Sequence, residues 1–215
     1  VYNWVDENAV VPVAKEDNPL FEEFGISRDK FHVVYAGNLG NAQNIDVIID
    51  SANILRGEKR VEFLIFGTGG LKEQYMAKVR DFQLDNVKFF PLQPMERVSQ
   101  VYGLGDVCIV SCKPGLGGAA MPSKMLSIMS SGRAVVASFD KGELTYILDK
   151  YNCGMYAPAG DADAFADIIK HLSLNTQECK LMGDNARRLI LQKFTKAYGT
   201  MKYVDIIKSV ANSTK

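Results

Sequence analysis

Apolar residues in this chain fall into short unbroken runs, separated by stretches in which they recur every three or four positions. The runs are His32–Ala36, Val61–Phe66, Val87–Phe90, Val107–Ser111 and Ala134–Ser138, with a short one at Met155–Tyr156. They are rich in Val, Ile and Phe, and few polar residues interrupt them. Strands that are apolar on both faces belong to parallel sheets covered by helices on either side. Between the runs the period is helical. In Ile45–Leu55, the residues Ile45, Ile48, Ile49, Ala52 and Leu55 share one side of a helix. Leu71–Phe82, Arg97–Tyr102, Ser123–Ser130 and Glu143–Asp149 read the same way. Strand and helix alternating at this spacing predict right-handed βαβ units. The expected fold is α/β: a doubly wound, Rossmann-like parallel sheet of about six strands. After Tyr156 only helices are predicted: Ala162–Leu172 capped by Asp161, one capped by Thr176 and ending near Leu191, and Ala197–Ser209 before a frayed tail.

Three glycine clusters follow successive strands. They are Gly37-Asn38-Leu39-Gly40, Gly67-Thr68-Gly69-Gly70 and the loop holding Gly115, Gly117 and Gly118. Ligands of open α/β sheets bind at the carboxyl ends of strands. Glycine there lets a ligand come close to backbone N–H groups, although glycine also ends strands for steric reasons alone. The stretch Pro114–Ser138 sharpens the expectation. It reads as a glycine loop, a helix opened by Met121-Pro122-Ser123-Lys124, a glycine stop at Gly132 and a buried strand. Proline suits the first turn of a helix. The N–H groups at that end attract anions. Lys124 sets a positive charge against the helix dipole, a poor choice for the helix and a good one for a phosphate; the plain alternative is a surface lysine.

Other chemistries are excluded or weakened. Gly37–Gly40 does not fit the dinucleotide fingerprint GxGxxG, and Gly67-Thr68-Gly69 lacks its third glycine because Lys72 stands there. No GxxxxGK[ST] is present. Asp161 and Asp163 resemble a metal-binding pair, but a helix start explains both. His32 and His171 have no metal-ligand companions, and no metal is expected. The 25 basic and 25 acidic residues balance, without a long basic run, so nucleic-acid binding has no electrostatic support. No stretch of about 18 apolar residues exists to span a membrane. Cys108, Cys112, Cys153 and Cys179 form no CxxC pair; reduced, partly buried thiols in a reducing cytosol are expected. At 215 residues with 47% hydrophobic content, the chain suits one large domain. Its start at Val1 and its Pro/Asn/Asp-rich opening read as part of something longer.

Taken together, these motifs resemble the C-terminal, donor-binding half of a GT-B-fold glycosyltransferase of the retaining family 4 type. Tyr2-Asn3-Trp4-Val5-Asp6 resembles the linker from the acceptor half. Tyr35–Gly40 with Ala42 and Gln43 is similar to the first phosphate loop, and Phe66–Gly69 to the turn after the second strand. Met121–Lys124 with Gly132–Ala137 is similar to the core of the donor site. Gly142-Glu143, Gly154 and Pro158–Asp161 are similar to the tail of the family pattern.

The resemblance implies three parts: a linker over residues 1–15 from an N-terminal acceptor domain of the same protein, a donor domain over 16–194, and a C-terminal helix and tail over 195–215. It implies a nucleotide-sugar donor, most often a UDP-sugar, with no metal and no further cofactor. Relatives build capsule, lipopolysaccharide or exopolysaccharide in the cytoplasm, often peripheral to the inner membrane through the other half. Lys124 and Glu143 are then the catalytic candidates, with Glu143 equally explained as a charge at a helix N-terminus. Gly37, Asn38, Leu39, Gly40, Gln43, Gly67, Gly69, Leu92, Pro122, Ser123 and Ser127 are the donor-binding candidates, the base lying near Pro91-Leu92-Gln93. The sequence departs from the family in two places. Ser127 stands where a ribose-bridging glutamate is usual, and the preceding loop offers Gly117, Gly118 and Ala119 in place of a first glutamate. Asn38 and Gln43 replace a common basic pair, leaving Lys124 to carry the charge. A nucleotide-sugar 2-epimerase and a non-catalytic donor-like binding module remain as alternatives.

Overall fold

A computed structural model describes residues 2–118 and 121–213. Val1, Ala119, Ala120, Thr214 and Lys215 lie outside the described residues, and with them the Ala119 position and the end of the tail. Six strands form one parallel sheet: β1 (Phe31–Asn38), β2 (Val61–Thr68), β3 (Val87–Phe90), β4 (Val107–Ser111), β5 (Ala134–Ser138) and β6 (Gly154–Ala157). Their order is β3-β2-β1-β4-β5-β6, so the winding reverses between β1 and β4. The helices are α1 (Leu20–Glu23), α2 (Ile45–Ile54), α3 (Lys72–Asp81), α4 (Val98–Gly103), α5 (Ser123–Ser130), α6 (Glu143–Tyr151), α7 (Ala162–Leu174), α8 (Thr176–Lys193) and α9 (Lys196–Ser213).

Alternation along the strands explains the two apolar layers, because successive side chains leave a strand on opposite faces. Val34, Leu64, Cys108, Val110 and Val135 meet α5, α6 and the second half of α8. Val33, Tyr35, Phe63, Ile65, Ile109 and Val136 meet α2, α3 and α7. All residues of β4 and β5 are buried, which is why those strands carry no polar alternation.

Several expectations shift by a residue or more. β1 and β2 continue through Gly37-Asn38 and Gly67-Thr68, so the first glycines sit inside paired strands instead of beyond them. Pro122 is the N-cap of α5, with extended φ −66° and ψ 130°, one place before the first turn. Thr176 does not cap α8. Asn175 holds that place, and its side-chain amide donates to the His171 carbonyl at 2.8 Å, because α7 and α8 abut without a loop. Asp161 does cap α7, accepting from the Ala164 N–H at 2.9 Å. Four-residue α1 is too short to leave a period in the sequence.

The segment before α1 is held down. Val5 and Val10 are buried. The Val5 N–H donates to the Phe194 carbonyl at 3.1 Å, and the Val10 carbonyl accepts from Ser130 Oγ at 2.7 Å. Arg187 donates to the carbonyls of Val10, Glu7 and Ser130 at 3.2, 3.1 and 2.9 Å. Among the described residues, no helix is long and apolar enough to cross a membrane.

The strand pairing positions the site. β1 follows β2 through eight residue pairs, but keeps register with β4 only at Val33–Val107 and Val34–Cys108. Beyond Val34 the two strands part, and a crevice opens at the carboxyl edge where the winding reverses.

Candidate donor site

Lys124 is the second residue of α5, and its side chain turns inward beneath the end of β1. Its Nζ lies 4.1 Å from the centre of the Tyr35 ring and donates to Tyr35 Oη at 3.0 Å. Tyr35 Oη in turn donates to the Asn38 carbonyl at 2.7 Å. Gly37 makes room for the amine. Its φ is 145°, and a Cβ there would lie 3.0 Å from Lys124 Nζ. Burial pulls the Lys124 ammonium down to about 8. No carboxylate offsets this among the described residues, so the site carries a half-desolvated cation without an ionic partner.

The cation faces a cavity of about 240 Å³. Its polar wall is Gly37, Gln93, Ser123, Lys124 and Ser127. Its apolar wall is Ala36, Phe66, Leu92, Met95, Val98, Val101 and Tyr102. The first N–H groups of α5 open at the same place, so an anion here meets both a helix N-terminus and an ammonium. Beside them is an apolar slot with one amide, suited to a flat ring.

The remaining sequence candidates divide. Asn38, Gly40, Gln43 and Gly69 form a rim beside the cavity. A Cβ on Gly40 would lie 2.9 Å from the Asn38 amide and 3.0 Å from Gln43 Oε1, so these two amides close over the glycine. A Cβ on Gly69 would lie 2.6 Å from Asn38 Oδ1. Leu39 is fully buried, with its N–H given to the Thr68 carbonyl and its carbonyl taken by the Leu71 N–H. Gly67 serves strand packing: a Cβ would lie 2.5 Å from the Gly37 carbonyl oxygen and 2.8 Å from Leu39 Cγ. Pro122 sets the start of α5 without lining the cavity. Glu143 stands apart from the cavity wall. It opens α6, where its charge complements the dipole, and accepts a hydrogen bond from the Tyr2 hydroxyl.

Tyr35, Phe66, Met95, Val98, Val101 and Tyr102 complete the cavity without having been singled out as site residues. Tyr35 lies within the phosphate-loop stretch, which was the available signal. Val101 and Tyr102 sit on a helix whose apolar residues read as core. Among the described residues, no three His, Cys, Asp or Glu side chains gather as a metal site would.

Fold and site thus define a doubly wound α/β domain with an anion-ready cavity at its switch point. The chain belongs to the glycosyl transferases group 1, whose family model matches residues 30–175. It is 24% identical to a probable glycosyltransferase, WbjE, of Pseudomonas aeruginosa, over 100% of this chain and 53% of that protein. It is 30% identical to the putative colanic acid biosynthesis glycosyl transferase WcaI of Escherichia coli (strain K12), over 69% of this chain and 37% of that protein. The chain therefore spans about half the length of the relatives it matches. Anabaena HepE, solved with UDP, superposes with a TM-score of 0.84 at 19% identity, covering 97% of this chain and 57% of that one. The C-terminal domain of the group 1 glycosyl transferase LpcC of Francisella tularensis superposes with a TM-score of 0.73 at 18% identity, covering 89% of this chain and 99% of that one. The fold is thus that of the C-terminal half of a GT-B glycosyltransferase.

Proposed function

We propose that this chain is the donor-binding half of a retaining glycosyltransferase. It would hold a nucleotide-sugar, first of all a UDP-sugar, for transfer to a polysaccharide or lipid-linked acceptor at the cell surface. The observation that carries this reading is the Lys124 ammonium, paired with no carboxylate among the described residues and turned into a cavity at the switch point beside the N-terminus of α5. A buried cation without a counter-ion costs stability unless a ligand supplies the charge.

The diphosphate sits against Lys124, the first N–H groups of α5 and the close backbone at Gly37. The base enters the slot between Leu92, Gln93 and Val98. Ser127 and Ser123 face the ribose with hydroxyls, which make fewer contacts than a carboxylate. In the transfer, the bond from the anomeric carbon to the diphosphate oxygen breaks, and the acceptor oxygen forms its bond on the same face. The acceptor's proton passes to the departing phosphate. Lys124 stabilises the charge that develops there, the kind of term that dominates many enzyme mechanisms. The acceptor site, and any docking to the inner membrane from the cytoplasmic side, belong to an N-terminal half of the same protein.

Calorimetric titration with UDP tests the reading. Lys124→Ala is expected to weaken UDP binding about 10- to 100-fold, the loss of a charge-assisted contact. Unchanged affinity removes Lys124 from the site.

A further inference from the structure

We propose that Tyr35 is a positioning residue of the donor site, fixing the Lys124 ammonium and the end of β1 in one hydrogen-bonded unit; this rests on the reading that Lys124 meets the diphosphate. Three contacts converge on this side chain. Its ring lies under the amine at 4.1 Å, its oxygen accepts from the amine at 3.0 Å, and its proton goes to the Asn38 carbonyl at 2.7 Å.

The direction of these bonds matters. A phenol has one proton, and here Asn38 takes it. The lone pair left over points at Lys124 and can only accept. Tyr35 is fully buried, and burial pushes its hydroxyl above the ordinary tyrosine range, so it stays protonated and the polarity of the chain does not reverse.

The arrangement joins the two elements that flank the crevice. β1 and β4 part beyond Val34, so strand pairing with β4 no longer holds the end of β1 there. Tyr35 ties that end to α5 across the opening. It also occupies the Asn38 carbonyl, whose lone pairs would otherwise be free to face an incoming anion. A long lysine side chain loses much rotamer freedom when fixed. Tyr35 fixes it before the ligand arrives, and preorganisation of this kind favours binding. The other titratable group on the cavity wall is Tyr102 of α4, which burial likewise keeps neutral.

The test is a cycle of Tyr35→Phe, Lys124→Ala and the double variant, with UDP affinity measured by calorimetry at several pH values and folding by thermal denaturation. Phenylalanine keeps the ring and its packing. Tyr35→Phe is expected to weaken UDP binding about 3- to 10-fold. In the Lys124→Ala background the same change is expected to cost nothing further, the signature of coupled residues. Wild-type affinity is expected to fall as pH rises through about 8, where Lys124 loses its proton, and in Tyr35→Phe the fall begins at lower pH.

Additive losses, or full affinity in Tyr35→Phe while Lys124→Ala is impaired, overturn the inference and leave the donor site standing. No UDP binding by the wild-type chain, or none lost in Lys124→Ala, overturns both. If Tyr35→Phe does not fold, the lysine side-chain nitrogen spectrum of the wild-type chain decides. A Lys124 ammonium protected from exchange before UDP is added supports the inference, and one exchanging like surface lysines overturns it.

Discussion

The two edges of the sheet treat a desolvated charge in opposite ways. At the amino edge, Glu62 on β2 is 1% exposed, yet Lys30 and Lys88 reach it at 2.9 and 3.1 Å, and His32 Nε2 stands 3.7 Å away. Burial pushes its carboxyl up, but His32, Lys30 and Lys88 outweigh this and hold it down at about 2. At the carboxyl edge, Lys124 receives a tyrosine and nothing of opposite charge. At the amino edge the buried carboxylate is thus paired with cations of this chain. The carboxyl edge has no such pairing among the described residues, and on the proposed reading the donor's diphosphate supplies the opposite charge. Charge balance thus distinguishes the two ends, where neither the residue types nor their burial do so alone.

Three variants break or sharpen this contrast. The largest effect is expected from Glu62→Ala, which strands two lysines and is expected to cost about 3 kcal/mol in urea denaturation, with UDP affinity of the folded fraction unchanged. The sign of its pH dependence follows from the lowered carboxyl. Glu62 stabilises the fold above its unfolded value near 4.5, and that contribution is lost as pH falls toward about 2. Glu62→Ala is expected to flatten the acid limb of the stability profile.

Gly67→Ala comes next, at about 2 kcal/mol, because its Cβ would press on the Gly37 carbonyl at 2.5 Å; the same denaturation measures it. Lys124→Met is expected to do the reverse of Glu62→Ala. Stability at neutral pH stays level or rises by about 1 kcal/mol, while UDP binding weakens about 10- to 100-fold. The smallest signal is in the alkaline limb. Folded Lys124 gives up its proton near 8, but the unfolded chain keeps it to 10.5. The Lys124 contribution to stability therefore rises between those values. Against it stand the buried thiols of Cys108, Cys153 and Cys179, which are pushed up to about 12 and lower stability above 9. The thermal midpoint of the wild type relative to Lys124→Met is expected to climb over that range.

Much of the fold was legible because buried parallel strands leave continuous apolar runs, and β3, β4 and β5 match their predicted limits residue for residue. Helix ends were less legible. At α8 the choice between Asn175 and Thr176 depended on how α7 stops, a fact about two helices at once. Lys124 stood out in the sequence because its charge conflicts with the helix it begins, and the structure turns it into the cavity. The close packing of Gly67 against the Gly37 carbonyl was not legible, because glycine for a ligand and glycine for a neighbouring strand look alike in one dimension. Tyr35 lay in the phosphate-loop stretch without being named as a site residue, and Tyr102 lay in a predicted helix, because the cavity lies between elements far apart in the chain, where no period reaches.

The Arg187 guanidinium bears on where this domain can be cut. Its acceptors include the carbonyls of Glu7 and Val10, which lie ahead of the first strand by more than twenty positions. A version trimmed to begin at Glu16 would look tidy on paper. It would strip acceptors from a partly sheltered cation and leave the Ser130 hydroxyl without its Val10 carbonyl. Such a version is expected to melt below one that keeps Val5, because the segment ahead of the first helix shares hydrogen bonds with α5 and α8.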